Sequence, residues 1–242
     1  MNIYITDGTE NCFFTAVFDA YSKTNSKITS SNALQLSFDC NLIYVQTDEE
    51  KAERVKSKLR QYDARAINYI RLILRYFKSE REQIAFEYLK RIIQLKAPAR
   101  ERLNEQVVIN ARDAHKKVTK EAHHFKGFLR FIEGANGIYY APFEPDNDIL
   151  EIIAPHFISR FKNQAFIIHD TKRKTAMLYN TKDCVFTTTD DKVSICVSDY
   201  EKAFQTLWKQ YYDSVNIKER PHEKQMKAFM PVRYWKHMPE KQ

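Results

Sequence analysis

Glu121-Ala-His-His-Phe-Lys-Gly-Phe-Leu-Arg-Phe131 and, past a Glu-Gly-Ala-Asn-Gly turn, Ile138-Tyr-Tyr-Ala-Pro-Phe-Glu-Pro-Asp146 are the residues on which the fold reading turns. Two apolar runs, Phe128–Ile132 and Ile138–Phe143, flank a five-residue Gly-containing loop, which suits an antiparallel hairpin. Arg130 is then the polar interruption of a strand, facing solvent or a partner. Asp148-x-x-Glu151 is placed to start a helix whose buried stripe is Ile149, Ile152, Ile153, Phe157 and Phe161. Pro155 removes one hydrogen bond from that helix and predicts a kink or a restart. Ala165–Asp170 and Thr175–Tyr179 read as a second hairpin, with Val185–Thr188 and Val193–Val197 extending or flanking the sheet. Strand, strand, helix, strand, strand predicts an α+β core: a central antiparallel sheet covered by helices.

Working outward toward the N-terminus, Asn2–Thr6 alternates like a strand, Phe13, Phe14, Val17, Phe18 and Tyr21 recur at helical spacing, and Leu42–Gln46 gives a second short strand. The Ser-, Thr- and Asn-rich segment Ser22–Asn32 between them reads as a loop. Thr47-x-x-Glu50 and Ser79-x-x-Glu82 have the spacing of capping boxes. They start the first and third of three helices: one over 48–60, one with Ala66, Ile67, Ile70, Leu74 and Phe77 inward, and one with Phe86, Leu89, Ile92 and Ile93 inward. After Ala97-Pro98, a long helix is marked by Val107, Ala111, Ala114, Val118, Ala122 and Phe125. Toward the C-terminus, Ser198-x-x-Glu201 precedes Tyr200, Ala203, Phe204, Leu207, Trp208, Tyr211 and Tyr212, whose 3.6-residue period predicts a helix docked on the core. The organisation expected is a basic, mostly helical subdomain over 1–120 with a short strand pair, then an α+β core over 121–242 ending in a docked basic tail, the two forming one cooperative unit.

The 242 residues are 43% hydrophobic and 13% aromatic, enough for a real core. The absence of a basic leader with an apolar core, and of any run near the ~18 apolar residues of a span, predicts a cytoplasmic protein with no membrane partner. Cys12, Cys40, Cys184 and Cys196 lack Cys-x-x-Cys spacing and are expected as four reduced thiols. The net charge of +8 is unevenly placed: residues 51–120 hold 19 basic and 8 acidic side chains, residues 1–50 hold 2 and 7, residues 121–213 hold 11 and 13, and residues 214–242 hold 7 and 3. A concentrated cationic segment favours phosphate contacts through counterion release, the alternative being a solvated helical surface.

Arg71, Arg75 and Lys78 at i, i+4, i+7 and Arg112, Lys116 and Lys120 at i+4 steps form two cationic rows, and these are the main candidates for a nucleic-acid surface. Arg130, Arg233, Trp235 and Lys236 are added to that set, since cations and a large aromatic ring suit phosphates and bases. Candidates for chemistry are His123, His156 and His169, whose imidazoles titrate near neutrality, and the acidic cluster Glu144, Asp146 and Asp148, which suits Mg²⁺ or the positive end of a helix. Structural histidines and helix partners are the competing readings. No P-loop, His-Glu-x-x-His, Gly-x-Ser-x-Gly or Gly-x-Gly-x-x-Gly is present, and neither a cofactor nor a bound metal is expected.

Six fragments in order, Glu121-x-His123-x-Phe125-Lys-Gly-Phe-Leu-Arg-Phe131, Phe143-Glu-Pro-Asp146, Ala154-Pro-His-Phe-x-x-Arg-Phe161, Ile168-His-Asp170, Asn216-Ile-x-x-Arg220 and Met230-Pro-x-Arg-Tyr-Trp-Lys236, resemble a bacterial DNA repair or DNA metabolism protein family. The resemblance extends to Asp7-Gly8 and Phe14-Thr-Ala-Val-Phe18. It implies a companion of a radical-SAM protein, in some bacteria fused to a uracil-DNA-glycosylase-like domain, this chain corresponding to the stand-alone form. With no Cys-x-x-x-Cys-x-x-Cys, the chain is not expected to hold the iron–sulfur cluster itself. The expected function is therefore to bind DNA or a DNA-bound partner and work with the radical-SAM enzyme. The alternatives are a nuclease or glycosylase-like enzyme and an adaptor that touches only protein.

Overall fold

A computed structural model describes residues 1–30, 40–189, 196–215 and 223–241. The chain divides into two compact units, Met1–Thr119 and Lys120–Gln242. Among the described residues no helix is long and apolar enough to cross a membrane.

The first unit is built on β1 (Asn2–Ile5), whose Ile3, Tyr4 and Ile5 are buried. It is the middle strand of a three-stranded, wholly parallel sheet, with β2 (Ser26–Thr29) on one side and β3 (Asn41–Tyr44) on the other. This corrects the expected strand pair: β2 lies where composition reads as loop. Only Ile28 of β2 carries a strong strand signal, and its N–H is bonded by the Gln83 side chain at 3.1 Å. Parallel neighbours need a crossover, supplied between β1 and β2 by α1 (Glu10–Ala20), capped by Thr9 and burying Cys12, Phe13, Phe14 and Val17.

Then come α2 (Glu49–Tyr62), α3 (Ala66–Leu74) and α4 (Arg81–Leu95). The cap of α2 is Asp48, which accepts from the Lys51 N–H at 3.1 Å, not Thr47. At α4 no side chain caps, because Glu82 turns inward to accept from Ser30 at 2.6 Å and Arg81 at 2.8 Å. Helix α3 is shorter than its apolar pattern suggested. It ends at Leu74, leaving Phe77 half exposed and Lys78 outside the helix, so the row Arg71, Arg75, Lys78 does not share one helical face. The division between the units falls within α5 (Gln106–Phe128).

In the second unit, strands β4 (Ile132–Glu133), β5 (Tyr139–Phe143), β6 (Phe166–Asp170), β7 (Thr175–Tyr179) and β8 (Cys184–Thr188) form one sheet in sequence order. The class is α+β, but the sheet is mixed where an antiparallel one was expected. β5 and β6 run parallel, from Tyr139↔Phe166 to Phe143↔Asp170, because α6 (Leu150–Arg160) carries the chain back before β6 begins. The first hairpin strand is only two residues long, since α5 persists through Phe128 and Leu129, Arg130 and Phe131 link it to β4 outside any helix or strand. Helix α6 continues through Pro155 and begins after Ile149 with no side-chain cap, so Asp148 does not cap it. Phe131 packs edge to face against Phe157, Phe161 and Phe166, with centroids 5.0–5.5 Å apart, where α6 covers the sheet.

Helix α7 (Asp199–Val215) is entered through Ser198, whose hydroxyl accepts from the Glu201 N–H at 3.0 Å. Of its expected apolar stripe only Trp208 and Tyr212 lie on the inward face. Tyr200, Phe204, Leu207, Tyr211 and Val215 are 50–74% exposed, while Glu201, Gln205, Trp208 and Tyr212 face inward. The inward face is held by polar contacts: Glu201 accepts from the Glu133 N–H at 3.3 Å, and the Trp208 indole donates to Glu240 at 3.1 Å. Helix α8 (Glu223–Phe229) and two 3-10 turns, Val232–His237 and Pro239–Lys241, follow among the described residues, with Tyr234 and Met238 buried. Residues 193–195 of the expected strand Val193–Val197, and the segment Asn216–Arg220 with Ile217, lie outside the described residues.

Candidate nucleic-acid interface

Helix α5 buries Val108, Ala111, Ala114 and Val118, and the two small alanines let it pack closely. That stripe fixes which residues flank it on the open side. Arg112, His115, Lys116 and Thr119 follow at three- and four-residue steps, so they lie along one edge of the helix. Tyr69 on α3 and Arg100, Glu101 and Leu103 from the loop before α5 complete the lining of an open groove of about 560 Å³, all within the first unit.

The groove joins cations to aromatic surface. The Tyr69 and His115 rings are stacked, with centroids 4.2 Å apart and planes 10° apart, and Tyr69 in turn lies 5.1 Å from the fully buried Tyr88 ring. Burial pushes the Tyr69 hydroxyl up from its ordinary value, although the Arg100 and Arg112 guanidinia act the other way. Burial pulls His115 below the ordinary imidazole value, so at neutral pH it presents an uncharged ring. Arg100 is anchored by the buried Asp63 carboxylate at 3.1 Å. Arg112 and Lys116 are exposed and form no ion pair with another described residue.

Of the other row, Arg71 makes a two-pronged contact with Glu10 at 2.6 and 3.2 Å, so its guanidinium is engaged within the fold. Lys120, one turn beyond Lys116 on α5, is exposed in the second unit. Tyr69, His115 and Arg100 were absent from the sequence-derived set. Nothing in their local pattern marks them, because Tyr69 and His115 sit at the flanks of two separate helical stripes and only the fold brings them together.

The remaining sequence candidates lie in the second unit, where most hold the fold together. Buried Glu121, 3% exposed, accepts from the backbone N–H of Asp146 at 3.0 Å, from the backbone and side chain of Asn147 at 2.8 and 2.6 Å, and from Arg233 at 3.1 Å. Arg233 also pairs with Asp146. Glu144 accepts from Lys236 at 2.5 Å and Thr171 at 3.1 Å, and Lys236 holds its carboxyl below the usual carboxylate range. On the other side of this acidic loop, fully buried Asp170 accepts from the Arg173 guanidinium at 2.8 Å, which also donates to the carbonyl of Pro145 at 3.0 Å.

Arg130 is in no strand; it donates to Glu240 at 2.7 Å. The Trp235 indole donates to the Met230 carbonyl at 3.1 Å, with Lys241 over its ring. Glu121, Glu144-Pro-Asp146, Asp170 and Arg233-Tyr-Trp-Lys236, far apart in sequence, thus converge on one network that pins the C-terminal segment.

The three candidate histidines do not converge. His169 is buried, with Nδ1 2.8 Å from the Tyr140 hydroxyl. His156 packs edge-on against Phe157 on α6, and His123 is exposed on α5. Among the described residues no three His, Cys, Asp or Glu side chains gather as a metal-ligand set.

The family model described as a domain of unknown function, DUF4130, matches residues 79–240. Neither a curated protein nor a solved structure matches the chain.

Proposed function

This chain belongs to that family of unknown function, and we propose that it binds nucleic acid through the groove of residues 69–119, as a DNA-repair-associated protein working with a radical-SAM enzyme. The observation that carries the binding reading is the exposed pair Arg112 and Lys116, together with Arg100, around a stacked aromatic pair in one groove. Cations placed for ligand phosphates must not be consumed by the fold, and these two form no ion pair among the described residues. The repair context, the radical-SAM companion and a uracil-DNA-glycosylase-like partner rest on the resemblance of the six fragments. Catalysis by Glu144 and Asp146 is disfavoured because Lys236 and Arg233 occupy their carboxylates.

Fluorescence anisotropy with labelled DNA at 50 and 200 mM salt tests the reading. Three phosphate contacts to a single strand give a log–log salt slope of about −2, a loss of roughly 20-fold over that range. Failure to bind at the lower salt would remove the proposal. It would favour the protein-only adaptor, which the exposed apolar face of α7 supports.

A further inference from the structure

We infer that the groove is built for single-stranded nucleic acid, with one unstacked base laid against the Tyr69–His115 pair and the neighbouring phosphates held by Arg112, Lys116 and Arg100. The inference rests on the nucleic-acid reading and goes further, to the form of the ligand. A duplex presents phosphates and groove edges while its base faces are stacked inside, so an aromatic pair in a binding groove adds little to duplex affinity. A single strand offers a π-face at every nucleotide, and base–aromatic stacking beside cations is the general device for holding it. His115 supplies ring surface here, since its burial favours the uncharged form. Leu103, 48% exposed on the groove wall, adds apolar surface suited to a sugar or a base edge.

Spacing and size agree with that ligand. Arg112 and Lys116 are four residues apart on α5, about 6 Å along a helix axis, comparable to the step between consecutive phosphates of an extended strand. A volume of about 560 Å³ suits a nucleotide or two, not the breadth of a duplex. DNA and RNA single strands share this chemistry.

The test uses the full chain and four labelled probes of equal length at low salt: a thymine-only DNA strand, its RNA counterpart, a strand of abasic sites, and a hairpin duplex. The expected result is tenfold or tighter binding of a base-bearing strand, DNA or RNA, over both the abasic strand and the duplex. His115→Ala is expected to weaken strand binding by about tenfold with the salt slope unchanged. His115→Tyr, which keeps a ring, is expected to retain it, separating stacking from a folding defect. Equal affinity for the abasic strand, or duplex binding as tight as strand binding, overturns the inference while leaving phosphate binding intact. Binding of none of the probes overturns both.

Discussion

Met1–Thr119 and Lys120–Gln242 use similar side chains to opposite ends. The first unit carries exposed cations on α5, Arg112 and Lys116, that form no ion pair with another described residue, beside a groove whose aromatic pair is only half buried. In the second, the charged groups that look most like chemistry are engaged within the fold: Glu121 and Asp146 with Arg233, Glu144 with Lys236, and Asp170 with Arg173. A charged residue reads as functional from its type alone in either case. Its bonding separates the two: a carboxylate that accepts three or four hydrogen bonds in a buried network stabilises a fold, whereas a cation without a partner remains able to meet a ligand.

The sharpest way to break this contrast is Glu121→Ala. Removing an acceptor that satisfies two backbone N–H groups, an amide and a guanidinium leaves buried donors unpaired, and about 3 kcal/mol or more of stability is expected to go. Chemical denaturation of the full chain measures it. A loss under 1 kcal/mol would mean the network is incidental. The counterpart in the first unit is the double change Arg112→Glu and Lys116→Glu, expected to leave stability within about 0.5 kcal/mol while lowering the salt slope of DNA binding by roughly one per cation removed. A large drop in melting temperature there would show that these cations, too, serve the fold.

Acid sharpens the comparison further. His124, His169 and His237 of the second unit, and His115 of the first, are all held below the ordinary imidazole value, with burial the leading cause. The fold therefore favours the neutral ring. Its contribution is full above the unfolded value near 6.5 and declines as pH falls through and below that value. Melting scans at pH 7.5 and 5.5 are expected to show lower stability at the lower pH, with the second unit losing more. Equal melting at both values would count against it.

The smallest effect is expected on α7. Phe204→Glu is expected to change stability by no more than about 0.5 kcal/mol, where a comparable core phenylalanine would be worth about 3–5 when truncated.

Much of this was legible in the sequence, but unevenly. The stripes of α5 and α6 and the runs of β6 and β7 follow from apolar pattern, because each is a local consequence of burial, and the Ser198 cap follows from the spacing of a hydroxyl and the N–H groups that start a helix. Orientation between strands is not local. β5 and β6 are parallel only because α6 returns the chain before β6 starts, and the same residues would serve an antiparallel pair. Amphipathicity likewise shows that α7 has an apolar side without saying that, within that broad stripe, Trp208 and Tyr212 would be turned inward and Phe204, Leu207 and Tyr211 outward. For the groove, the cations Arg112 and Lys116 were legible as a row. Its aromatic half was not, since Tyr69 and His115 come from helices whose meeting is a tertiary event.

Trp208 and Trp235, the chain's two tryptophans, are both tied into the C-terminal part of the second unit, one through Glu240 and the other through the Met230 carbonyl. Their emission therefore reports that region alone and is silent about the groove-bearing half. A shift in colour without loss of far-ultraviolet helical signal would mark release of the C-terminal segment. Tyrosine fluorescence, or a label near residue 115, would be needed to follow the other half by light.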